Sequence, residues 1–195
     1  GRQSVIASEI IGAENTEHYR NKGILAVADI SGSPKAGFFR ERSHELIAVD
    51  DCLIQDPLCR RAAEAITRFI SERGIPAYNE QTGKGTVRHI FCRRAHYGND
   101  AVVCIVAARG FGAETGALVE ELRLHCPELT GIVLNINKSR GNTVLAGDFY
   151  TLWGRPDIID SLCGIRFDIS PQAFYQVNPP QAEKLYRKAL EYAAP

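Results

Sequence analysis

Apolar and polar positions along the chain mark out a series of short strands punctuated by a few helices. Residues 24–30 and 36–40 are strand-like runs separated by Gly32, Ser33 and Pro34, turn formers that predict a hairpin, and residues 46–49 add a third short strand. Pro57 opens a helix running through Arg73, with Ala62, Ala65, Ile66, Phe69 and Ile70 on one face and Gly74 as its stop. A strand that alternates from Val87 and Arg88 to Arg94 pairs across Gly98-Asn99 with residues 100–108, an antiparallel arrangement. A helix at 114–125, an apolar strand at 131–137, and shorter runs at 143–145 and 149–153 follow. A last hairpin, 158–162 with 165–169, turns at Cys163-Gly164 and leads to a helix behind Pro179-Pro180. At the opposite end Val5, Ile6, Ile10 and Ile11 make a helical stripe over residues 3–11, stopped by Gly12. The sum is an α+β fold, a largely antiparallel sheet with a few covering helices.

Composition narrows the class. A chain of 195 residues, 45% hydrophobic and 24% charged, buries a sizeable core, which excludes disordered and fibrous proteins. No apolar run reaches the roughly 20 residues of a membrane span and no signal-peptide core is present, so the expected location is cytoplasmic, with no membrane partner. Net charge is zero, so any nucleic-acid surface must come from local clustering of the 23 Lys and Arg residues. The six cysteines are scattered without a C-x-x-C pair, and three of them, in apolar or strand-like context, read as reduced core thiols. The chain has no methionine, position 1 included, and its last helix sets Ala182, Leu185, Tyr186, Ala189, Leu190 and Ala193 on one face with nothing to bury it. Both features predict an excised piece of a longer protein.

The stretch 169–186 is the candidate centre of function. It closes a strand, passes through aromatic and amide side chains, and opens the last helix, with Asn178 placed to cap the amides ahead of the prolines. Phe174 offers a flat face for stacking, and Gln176 and Asn178 each carry a donor and an acceptor suited to the edge of a base. The plainer reading makes the aromatic a core residue and the Asn only a cap. A second cluster surrounds the first hairpin: Tyr19, Arg20, Lys22, Lys35, Phe38, Phe39, Arg40 and Arg42, with His44 beyond, a mixture of cations and rings expected of a single-stranded RNA platform. A solvated hairpin is the plain alternative. His89 and His44 are conceivable general bases of a hydrolase, but no nucleophile with a supporting carboxylate is marked out nearby. Neither nucleotide-cradling glycine pattern, G-x-G-x-x-G or G-x-x-x-x-G-K-[ST], is present.

The segment Phe174-Tyr-Gln176-Val-Asn178 resembles the Phe-x-Gln-x-Asn motif of the RNA uracil-5-methyltransferases, which methylate C5 of uridine in ribosomal and transfer RNA with S-adenosylmethionine. Tyr19-Arg20-Asn21-Lys22, Gly37-Phe38-Phe39-Arg40, Ser43-His44, Val49-Asp-Asp-Cys52 and the Gly85-to-His89 string containing Arg88 are similar to that family in the same order. The resemblance implies that residues 1–168 are a central RNA-binding domain, and that 169–195 begin a Rossmann-like catalytic domain missing from this chain. It places Phe174 and Gln176, with Asn178, beside the extruded uracil and the methyl donor. It makes Tyr19, Arg20, Lys22, Phe38, Arg40, Arg42 and Arg88 RNA contacts. The nucleophilic cysteine and the base are implied to lie outside the chain, so no catalytic residue is assigned and the chain alone is expected to be inactive. Cys52 matches a later ligand of the four-iron cluster that many members carry, with the other ligands upstream of Gly1. Neither the cluster nor S-adenosylmethionine is expected to bind this chain by itself. The implied role is recognition and target-uracil positioning in RNA modification, on 23S ribosomal RNA ahead of transfer RNA. A stand-alone, non-catalytic RNA-binding module is the alternative.

Overall fold

A computed structural model describes residues 9–141 and 143–193. In order the elements are β1 (Lys22–Ile30), β2 (Ser33–Phe39), β3 (Leu46–Ala48), α1 (Pro57–Glu72), β4 (Val87–Arg94), β5 (Ala101–Ala107), α2 (Thr115–His125), β6 (Gly131–Ile136), β7 (Asp148–Gly154), β8 (Ile158–Leu162), β9 (Ile165–Ile169) and α3 (Pro179–Ala193). Seven strands make one sheet in the order β3-β2-β1-β4-β5-β6-β7, while β8 and β9 form a separate hairpin. Among the named strands of the described residues every ladder is antiparallel except β5 with β6, which run parallel because α2 crosses over between them. The sheet is thus largely antiparallel, as expected, with a few helices covering it.

One sheet face is closed by helices. In α1, Pro57 takes the first helical position, where a missing N–H costs nothing, and Asp56 accepts a hydrogen bond from Leu58 N at 2.8 Å. Leu58, Ala62, Ile66, Phe69 and Ile70 then face Leu25, Ile90, Val103, Ile105 and Ile132 of the strands. Ion pairs Arg68–Glu121 at 2.6 Å and Arg73–Glu114 at 2.8 Å tie α1 to the α2 side. The opposite face is covered only in part. There Phe91, Val102, Cys104 and Val133 pack against Ile158, Leu162, Ile169, Tyr175 and Ala182. The hairpin β8–β9, the stretch after it and the first turn of α3 therefore share a core with the sheet, and the expected boundary after residue 168 falls within β9. Gly37 in β2 is required by packing: a Cβ there would lie 2.0 Å from the Ile47 carbonyl oxygen of β3.

Three local expectations fail. Residues 9–11 are irregular rather than helical, and residues 3–8 of that expected helix lie outside the described set. Thr143 to Leu145 are irregular rather than a strand, because the buried side chain of Asn137 takes the Thr143 and Val144 carbonyls, both at 2.8 Å, that a ladder would need. The alternation assumed at the start of β4 breaks at a register shift between Val87 and His89. This extra residue turns Arg88 into the interior.

Candidate functional site

The stretch between β9 and α3 is held from beneath by buried side chains. Arg93, only 2% exposed, donates from its two terminal nitrogens to Ser170 O at 2.6 Å and Ala173 O at 2.8 Å, with its guanidinium over the Phe91 ring. Burial pushes its pKa down to about 10, leaving it cationic at neutral pH. Asn21 donates from its side chain to Gln176 O at 3.1 Å and from its backbone to Val177 O at 2.9 Å. Tyr175 is buried and donates to Ser161 O at 3.0 Å, and burial raises its pKa. Asn178 caps α3, its carbonyls accepting from Gln181 N at 3.3 Å and Ala182 N at 2.9 Å.

Tyr175 takes the core position that the plain reading gave to Phe174, and Phe174 is 83% exposed. Gln176 is half-buried, donating to the Tyr186 hydroxyl at 3.1 Å. With Asn178, Val177, Ile11, Ala182 and Leu185 it lines a concavity of about 480 Å³ beside α3. The outer side of α3 is unburied: Leu185, Leu190 and Tyr192 are exposed, and only Pro179 and Ala182 are buried. The site thus presents a ring, an amide and an apolar helix face, all on a rigid backing. It holds no nucleophile.

The cations predicted around the first hairpin separate. Tyr19, Arg20 and Lys22 are half-buried at the start of β1, where burial, then Arg93 and Arg20, lower the Lys22 pKa. Phe38 is exposed across from Ile47. Arg40 pairs with Glu45 at 3.1 Å and Arg42 with Glu41 at 3.4 Å, all four side chains well exposed. Arg88 is a correction. It is 4% exposed and spends every N–H within the protein: on Glu80 through Nε and one terminal nitrogen at 2.9 to 3.1 Å, and on Asn137 O and Ser139 O through the other. A guanidinium with no free donor cannot hold a phosphate. It anchors the 137–139 segment instead.

His89 does not sit in a hydrolytic arrangement. Its ring lies edge-on to Phe39 at 6.3 Å, its Nδ1 is buried without a partner, and burial with the neighbouring Arg88 charge lowers its pKa to about 4. Cys59, Cys92, Cys104 and Cys126 are buried, and burial raises the Cys104 thiol to about 12 and Cys126 to about 11, the opposite of nucleophile activation. Cys52 is half-buried after β3, and among the described residues no group of three or more His, Cys, Asp or Glu is placed to hold a metal. One thiol does not make a cluster site. The single parallel unit, β5–α2–β6, turns through Gly110-Phe111-Gly112 with Thr115 where the dinucleotide fingerprint has its third glycine, so these residues do not fit a methyl-donor cradle either. Among the described residues no helix is long and apolar enough to cross a membrane.

Sequence reasoning missed Arg93 and Asn21 as supports. The signal for Arg93 was a charge on the inward side of an alternating strand; Asn21 sat inside a motif read only for its cations.

No family model matches the chain. An uncharacterized RNA methyltransferase of Clostridium acetobutylicum is 41% identical over 190 residues, covering 97% of this chain and 41% of that protein. One of Listeria monocytogenes is 38% identical over 193 residues, covering 99% of this chain and 42% of the relative. The chain thus spans well under half the length of the relatives it matches. Among solved structures, the tRNA (uracil-54, C5)-methyltransferase of Pyrococcus abyssi in complex with S-adenosyl-L-homocysteine superposes with a TM-score of 0.77 at 24% identity, over 94% of this chain and 42% of that one. That likeness establishes the fold.

Proposed function

We propose, from the premise that this chain is homologous to one stretch of the RNA methyltransferases, that it recognises RNA and positions the target uracil for methylation at C5. The observation that carries the reading is Phe174, 83% exposed beside a buried Tyr175 and two residues ahead of Gln176, which lines the concavity beside α3. An extruded uracil loses stacking and pairing, at a cost of a few kcal/mol, and needs both replaced. Phe174 supplies the stacking face. The Gln176 amide, one donor and one acceptor, matches the uracil edge, and Asn178 fixes the helix start beside it. S-adenosylmethionine, held by other parts of the parent protein, supplies the methyl group. The exposed side of α3 is the surface against which the catalytic domain packs, so that 169–193 bridge the two functions. Tyr19, Arg20, Lys22, Phe38, Arg40 and Arg42 contact the RNA backbone and unpaired bases.

The substrate we assign is 23S ribosomal RNA in the cytoplasm, with transfer RNA, the substrate class named for the solved neighbour, as the second choice. The test is methyl transfer by the full-length parent protein from labelled S-adenosylmethionine to each RNA, followed by nucleoside analysis. 5-Methyluridine in 23S RNA alone is the expected result. Label in transfer RNA alone overturns the substrate, and label on a base other than uracil overturns the reaction. A non-catalytic RNA-binding module relies on the arginine-bearing turn alone, and predicts RNA binding with no methyl transfer by any longer form of the protein.

A further inference from the structure

The sheet face that carries the 170–178 stretch is left open further along β4. His89 and Arg93 lie on that face four residues apart, about 13 Å along the strand. Above His89 a groove of about 520 Å³ lies between the 40–44 turn and the residues Arg140, Gly141, Thr143 and Val144, a volume in the range of small-ligand sites. Arg40, Arg42 and Arg140 line it; Arg88 and Glu80, also in its wall, neutralise each other through their paired bonds. The partners of Arg40 and Arg42 are exposed glutamates, and such surface pairs exchange readily for a stronger anion. Inside the groove Phe39 meets His44 edge-on at 5.8 Å and His89 at 6.3 Å, a cluster of three rings. His89 is neutral there, and its Nδ1 lacks a protein partner.

A second groove, of about 470 Å³, shares Phe39, His44 and Glu80 with the first but is lined by no Lys or Arg. The positive charge therefore sits on one side of the ring cluster only. That asymmetry suits a ligand with an anionic part and a planar part.

We propose that the arginine-lined groove is a nucleotide subsite for single-stranded RNA flanking the target uridine, with Arg40, Arg42 and Arg140 on a phosphate and the Phe39, His44 and His89 rings against a base. It rests on the RNA reading above and deepens it by naming a place separate from Phe174. Three cations beside unpaired rings are the combination that holds single strands without demanding a sequence.

The test uses the isotopically labelled chain and two probes, a short oligouridylate and inorganic phosphate, followed by amide chemical shifts. The oligouridylate is expected to move the amides of Arg40 to His44, His89 and Arg140. The double variant Arg42→Gln/Arg140→Gln, altering two exposed side chains, is expected to bind about tenfold more weakly and to lower the slope of log affinity against log salt by about 1.4. Oligouridylate binding with a silent groove and shifts elsewhere overturns the subsite while leaving the RNA reading intact. Phosphate reproducing the whole shift pattern reduces the groove to an anion site and overturns the nucleotide claim. Absence of oligouridylate binding to the unsubstituted chain overturns both.

Discussion

The 170–178 stretch and the 40–45 turn both offer rings and polar groups to solvent, yet they are built in opposite ways. The first hangs on buried side chains: Arg93 holds two carbonyls, Asn21 holds two more, and Tyr175 lies beneath. The second is held by exposed ion pairs, Arg40–Glu45 and Arg42–Glu41, of the kind worth about 0 to 1 kcal/mol. The difference fits the two roles proposed for them. Placing a reacting base tolerates little error in position, so its contacts need a stiff support. Gripping a phosphate backbone is forgiving, and mobile cations suffice.

The largest effect that would break this contrast is at the buried ring. Tyr175→Ala is expected to cost about 4 kcal/mol in chemical denaturation, from lost packing and an unpaired carbonyl, whereas Phe174→Ala next to it changes stability by less than about 0.5 kcal/mol. Equal losses would mean that the two residues are not divided between core and surface. Arg93→Met ranks next, at about 3 kcal/mol, because it strands the Ser170 and Ala173 carbonyls. Arg93→Lys should restore part of this, and thermal melting of the three proteins checks the order.

Acid sharpens the other side of the comparison. His89 has a folded pKa of about 4 against 6.5 unfolded, so the unfolded chain binds the extra proton between those values. Stability is whole above pH 6.5 and falls by up to about 3 kcal/mol as the pH drops to 4. Denaturation across that window should lose this slope in His89→Phe; an unchanged slope would remove the neutral His89. The smallest effect belongs to the exposed turn, where Glu45→Gln should alter stability by only about 0.3 kcal/mol. A loss above about 1 kcal/mol in the same melting series would make the turn as rigid as the 170–178 stretch.

Much of this was legible in the sequence where periodicity and punctuation agreed. Pro57 and Gly74 bounded α1, Cys163-Gly164 turned β8 into β9, and the apolar stripe of α3 foretold a face without cover. What escaped was decided by non-local contact. The parallel pairing of β5 with β6 depends on where α2 crosses, and the burial of Arg88 follows from one extra residue in β4. Asn137, at the exit of β6, captures the Thr143 and Val144 carbonyls that a strand at 143–145 would have used. The candidate site divided the same way: motif residues Phe174 and Gln176 were readable as a ring and an amide, but the supports Arg93 and Asn21 lie more than 75 residues upstream.

The most direct measurement is single-turnover methyl transfer by the full-length parent protein carrying Phe174→Ala or Gln176→Ala, with RNA affinity and melting recorded on the same samples. The account predicts a rate lower by more than about tenfold, corresponding to a lost stacking or edge contact of about 1 to 3 kcal/mol, with affinity and melting nearly unchanged. A rate equal to that of the unsubstituted protein would contradict it.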